Sequence, residues 1–151
     1  MTLPMPRLLS PRQVSAAVPR QSPEQRARAS NRAIIDFLRN MVLAQSEPSE
    51  RFHAVFVNRK REYLGDAPLG KGGADHLSLR MRDLFGCALS IGADGIVIAH
   101  NHPSGQCRPS RYDIEATAKL RTVAEALDIK LLDHLIFTQS AVYSMRAGGK
   151  L

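Results

Sequence analysis

Apolar positions recur at helical spacing in Ile34, Phe37, Leu38 and Met41, which predicts one amphipathic helix over residues 23–44. Its start is written in "SPEQ": Ser22 as N-cap, Pro23 at the first helical position and Gln25 completing a capping box. "SEPSE" breaks that pattern, and "ERFHAVFVN" alternates with period two, predicting a strand over residues 50–57. After the turn "NRKR" comes a weaker second strand, "EYLGDAPL", and then "GKGG", expected to be a mobile loop. Residues 80–91 read as a helix ending at Gly92, and "GIVIA", residues 95–99, as a buried central strand. A polar loop follows, then a helix from Ser110 to Leu127, and "KLLDHLIFT" and "AVYSMRA" close the chain as two strands. The order α-β-β-α-β-α-β-β predicts an α/β fold, a mixed sheet flanked by helices, with no internal repeat.

Composition narrows this little. A chain of 151 residues suits one domain with its own core. No apolar run is long enough to cross a bilayer, and no apolar leader opens the chain, so a cytoplasmic protein is expected. Cys87 and Cys107 are too few for a disulfide framework and fit a reducing compartment. The net charge of +7 invites a nucleic-acid partner, but residues 1–32 hold six arginines against the single acid Glu24. Pro4, Pro6, Pro11 and Pro19 mark residues 1–21 as a flexible basic arm, followed by an N-terminal helical segment, 22–45, and a domain, 46–151. The arm offers at most a weak contact to phosphates.

The chemistry concentrates in "AHNHPSGQCRPSRYD", residues 99–113. His100 and His102 are two apart, so on an extended backbone they face one side and can share a zinc ion. Asp113, in the first turn of the next helix, can return a carboxylate to that ion. Pro103 fixes the backbone after the second histidine, and Gly105 permits a tight return. Two imidazoles, a carboxylate and an open fourth position describe a catalytic zinc site.

This stretch fits H-x-H-P-x6-S-x2-D, the pattern of the JAMM (MPN-domain) metalloproteases. With "RDLFGCAL" upstream and "LLDHLIF" downstream, the chain from about Glu50 to Ser144 resembles the RadC family of bacterial JAB-domain proteins. The resemblance implies a JAB/MPN-type (cytidine-deaminase-like) domain, one zinc per chain on His100, His102 and Asp113, and peptidase or isopeptidase activity. It also implies that Ser110 stabilises an oxyanion and that Glu50 is the general base. Full-length RadC relatives carry a helix-hairpin-helix segment before this domain. Here only the arm and one helix precede Glu50, so a short form is expected.

Duller readings stand beside these. Ser110 and Asp113 also spell a helix capping box, which need not compete with metal binding. Glu47 and Glu62 are other candidate glutamates. Asp133 and His134 must face opposite sides of their strand, so only one can approach the site, as hydrogen-bonding support more than as a ligand. Cys107 reads as a small loop residue beside the metal and Cys87 as core. The H-N-H nuclease reading fails on spacing, and a zinc deaminase would need H-x-E and C-x-x-C, which are missing. Three functions remain: a zinc hydrolase acting on peptide or isopeptide bonds, a DNA-associated repair or recombination accessory factor using the arm, and a non-catalytic MPN interaction module.

Overall fold

Strand pairing begins with "ERFHAVFVN", which forms β1 (Arg51–Val57) and runs antiparallel to both β2 (Tyr63–Lys71) and β3 (Gly95–Asn101). β4 (Lys130–Phe137) lies parallel to β3, and β5 (Val142–Ser144) closes the far edge, giving the sheet order β2-β1-β3-β4-β5. The computed structural model describes residues 22–44, 49–71 and 80–151. The basic arm, Glu47, and Gly72 and Gly73 of "GKGG" lie outside the described residues.

Among the described residues the helices are α1 (Pro23–Leu43), α2 (Met81–Ser90) and α3 (Arg111–Ala126). The predicted cap of α1 is present: Ser22 Oγ accepts the Gln25 N–H, and Gln25 Oε1 accepts the Ser22 N–H. A parallel neighbour needs a crossover between the two strands, and α3 supplies it between β3 and β4.

Both faces of the sheet are covered, which is why β1 and β3 are buried almost throughout. On one face Phe52, Ala54, Phe56, Ile96 and Ile98 pack with Leu84 and Phe85 of α2 and Leu120 of α3. On the other, Val55, Val57, Val97 and Ala99 pack with Leu38 and Val42 of α1. Those two side chains, wholly buried, hold α1 to the sheet; Leu38→Ala should cost about 2–5 kcal/mol. Gly95 opens β3 because a Cβ there would meet Leu132 Cδ1 at 2.8 Å and Val57 Cγ2 at 3.0 Å.

Element types and order are as expected, and several boundaries move. β3 runs two residues beyond Ala99, because His100 pairs with Phe52 and Asn101 with Phe137. β2 takes in Gly70 and Lys71, half of the predicted loop "GKGG", since they pair with Phe52 and Arg51. β5 stops at Ser144, after which the Met145 N–H donates to the His134 carbonyl and the chain turns. Among the described residues no helix is long and apolar enough to cross a membrane.

Candidate metal centre

The period-two alternation of β3 turns His100 to the same face as Ile96 and Ile98, under α2 and α3. Phe52 on β1 stacks on its ring, with centroids 4.6 Å apart at 20°. His102, one step past the strand, is held by its own N–H donating to the Phe137 carbonyl at 2.9 Å. Gly105, at φ +81°, makes the turn that follows, and its N–H donates to the His102 carbonyl at 3.1 Å. That turn brings the Gln106 carbonyl to His102 Nδ1 at 2.8 Å. α3 then starts with a full capping box: Ser110 Oγ accepts the Asp113 N–H at 3.1 Å, and Asp113 Oδ2 accepts the Ser110 N–H at 2.8 Å. The box fixes the carboxylate at the mouth of the loop.

Three side chains meet there. His100 Nε2 lies 3.0 Å from His102 Nε2 and 3.3 Å from Asp113 Oδ1, and His102 Nε2 lies 3.1 Å from Asp113 Oδ2. One ligand atom from each residue falls within 4.8 Å of the others, a cluster that could hold a metal ion. The donor set fits a cation. A carbonyl can only accept, so a neutral His102 carries its proton on Nδ1 toward Gln106 and turns its Nε2 lone pair to the cluster. That lone pair and an anionic carboxylate, both acceptors, repel at this distance unless a proton or a metal lies between them. Two imidazole nitrogens and one carboxylate are a donor set that zinc accepts.

A proton held between these atoms satisfies them as an ion would. Burial would push the Asp113 carboxyl up, but hydrogen bonds with His100 and His102, and the Ser110 N–H, outweigh it and hold it far below the usual carboxylate range. The hydrogen bond to Asp113 raises His102 above an ordinary histidine; burial opposes this, while the Gln106 carbonyl and the charges of Asp113 and Glu50 add to it. Burial keeps His134 well below the ordinary value, with the neighbouring His100 acting in the same direction.

Glu50 sits one residue before β1, half-buried. The β1–β3 register pairs Phe52 with His100, which brings the start of β1 beside the end of β3, and the Glu50 charge helps raise His102. Of the pair Asp133–His134, His134 faces the cluster: its Nε2 lies 2.8 Å from His100 Nδ1. Asp133 faces away, accepting from the Ser144 hydroxyl and from the His134 and Arg146 N–H groups. Cys107 lies outside the cluster and donates to the Ile136 carbonyl at 3.3 Å; Cys87, on α2, is partly buried against the core. Glu62 bonds the Asn58 side chain at the β1–β2 turn.

Two residues escaped the sequence reading. Thr117, buried on α3, places its hydroxyl 2.7 Å from His134 Nδ1. Asn101 accepts the Arg51 N–H at 2.7 Å and donates to the Ser49 carbonyl at 3.2 Å, so its amide brackets Glu50. A threonine at i+4 from Asp113 is the only hint the sequence held of the first. A polar residue between two histidines gave no hint of the second.

The RadC-like JAB domain family matches residues 28–150. A UPF0758 protein of Flavobacterium johnsoniae is 41% identical over 97 residues, covering 64% of this chain and 42% of that protein. A UPF0758 protein of Ruegeria pomeroyi is 36% identical over 119 residues, covering 79% and 52%. One from Rhodobacter capsulatus is 34% identical over 123 residues, covering 82% and 56%. The chain thus spans about half the length of the curated relatives it matches. With the mixed sheet, the flanking helices and the His-His-Asp cluster in place, and with the match running over most of its length, the chain belongs to the RadC-like JAB domain family.

Proposed function

We propose that this domain is a zinc-dependent hydrolase of the JAMM type that cleaves peptide or isopeptide bonds. One observation carries the reading: His100, His102 and Asp113 bring two ring nitrogens and a carboxylate to a single point, a set of atoms that a cation can bind together. These three residues would hold one zinc ion per chain. When bound there, zinc acidifies a water toward neutral pH and polarises the carbonyl under attack.

The remaining work falls to the chain's own groups. Glu50, whose charge acts on His102, takes a proton from the attacking water and passes it to the leaving nitrogen. Ser110 donates its hydroxyl proton to the carbonyl oxygen as negative charge builds there. Its capping role does not conflict, because the Asp113 N–H uses a lone pair of Ser110 Oγ and not its proton. Phe52, stacked on His100, shields that ring from water and so strengthens the local electrostatics.

The test is zinc content paired with turnover of a panel of peptides and isopeptide-linked conjugates. The expected result is about one zinc per chain, with hydrolysis that a chelator abolishes and added zinc restores. Zinc-loaded protein inert toward the whole panel would remove the hydrolase reading.

A further inference from the structure

For His100 to serve as a ligand through Nε2, that nitrogen must be bare, which requires the ring proton on Nδ1. Nothing in His100 itself decides between the two neutral tautomers. The decision lies behind it. His100 Nδ1 faces His134 Nε2 at 2.8 Å, His134 Nδ1 faces Thr117 Oγ1 at 2.7 Å, and Thr117 Oγ1 lies 2.6 Å from the Asp113 carbonyl oxygen. The thioether of Met145 lies 3.5 Å from the same hydroxyl. All of these side chains are at most 1% exposed, so bulk water cannot take over a missing partner.

Proton counting gives the order. The Asp113 carbonyl and the Met145 sulfur can only accept, and the single Thr117 hydroxyl proton is directed at the carbonyl, the shortest of its contacts at 2.6 Å. The Thr117 oxygen must then accept from His134, which places the His134 proton on Nδ1. His134 Nε2 is left bare and accepts from His100 Nδ1–H. His100 Nε2 is therefore bare, and it is the atom that faces His102 and Asp113. Run the other way, with Thr117 donating to His134, the chain would place a proton on His100 Nε2 and remove that ligand from the cluster.

We propose that Thr117 is a positioning residue that, through His134, sets the tautomer of His100 and makes the cluster competent to bind a metal. The same hydroxyl holds the carbonyl of Asp113, so one side chain ties the first ligand to the third. This inference rests on the metal reading of the cluster, and no catalytic contact is assigned to Thr117 or His134.

The experiment compares the full chain with Thr117→Val, which keeps the shape and removes the hydroxyl, and Thr117→Ser, which keeps the hydroxyl. Long-range proton–nitrogen correlation spectra of the imidazoles report which nitrogen carries each proton, and chelator competition reports zinc affinity. The parent is expected to show the proton on Nδ1 of both His134 and His100. Thr117→Val should lose that order on His134 and bind zinc roughly 10–100-fold more weakly, with Thr117→Ser restoring both. A Thr117→Val protein with parental tautomers and affinity overturns the proposal. So does a parent whose His134 carries its proton on Nε2, a result that needs no variant to fold. A parent that takes up no zinc fails the metal reading instead, and the His134 tautomer in its spectrum still upholds or overturns the proton order.

Discussion

Adjacent residues of β1 lead to two histidine–aspartate clusters on opposite faces of the sheet, and they are built on opposite principles. Under α1, His53 Nε2 meets Asp66 Oδ2 at 2.6 Å, and the Tyr63 hydroxyl donates to the other carboxylate oxygen. Phe37 packs edge-on against both rings. Each oxygen of Asp66 has its donor, so the cluster closes on itself. Beneath α3, next to Phe52, His100, His102 and Asp113 turn two ring nitrogens and a carboxylate toward one another. The residue types are shared. What separates a closed pair from a candidate metal centre is the balance of protons and lone pairs, and backbone partners such as the Gln106 carbonyl act on that balance.

The sharpest way to extend the contrast is to remove chemistry without removing ligands. Glu50→Gln keeps the shape and hydrogen-bonding capacity of the side chain but cannot accept a proton. Hydrolysis should fall by roughly 10²–10⁴-fold, mostly in kcat, while zinc content stays at the parental level. Parental turnover in this variant would return Glu50 to the surface and send the search for a base elsewhere.

On the α1 side, His53→Ala should destabilise the fold by about 1–3 kcal/mol, since Asp66 loses a short charge-assisted partner, yet leave zinc content unchanged. Denaturant unfolding beside metal analysis separates the two effects. Loss of zinc in this variant would show that the two faces are coupled.

Ser110→Ala should be milder. Removing the N-cap costs about 1 kcal/mol of stability, and the rate should drop less than in Glu50→Gln because one oxyanion donor among several is lost. A rate loss equal to that of Glu50→Gln would mean that Ser110 does more than donate one hydrogen bond.

The smallest effect is a difference in pH windows. Burial depresses His134 in the folded state, so below about 6.5 the unfolded chain takes up a proton that the folded one refuses. The stability advantage of the parent over His134→Gln should therefore shrink as the pH falls below that value. Asp66 is also depressed: burial pushes it up, and hydrogen bonds from Tyr63 and His53 more than reverse this. Its advantage over Asp66→Asn should hold down to about pH 3.9 and be lost only below it. Neither slope can exceed about 1.4 kcal/mol per pH unit. Thermal melts across pH 3–8 would show whether the two windows are distinct.

The three residues of the cluster were legible because strand, loop and helix N-terminus are consecutive, so spacing alone brings His100, His102 and Asp113 together. The helix starts were legible for the same reason, as Ser22–Gln25 and Ser110–Asp113 cap locally. What could not be read depends on register between distant segments. Alternation put Asp133 and His134 on opposite faces, but the β3–β4 pairing, with its irregularity between Ile96 and Val97, decides which of them reaches His100. The end of β3 was misjudged because His100 and Asn101 are polar, although both are buried and paired. Gly70 and Lys71 read as loop by composition and are strand because β1 pairs with them.

The central claim, that the cluster under α3 binds an ion and the one under α1 does not, is tested most directly by zinc titration in one experiment. The proteins to compare are the parent, His102→Ala and His53→Ala, each stripped of metal and titrated at neutral pH against a competing chelator. The account predicts about one tight zinc per chain in the parent and in His53→Ala, and none in His102→Ala. Tight zinc retained by His102→Ala, or lost in His53→Ala alone, would contradict it.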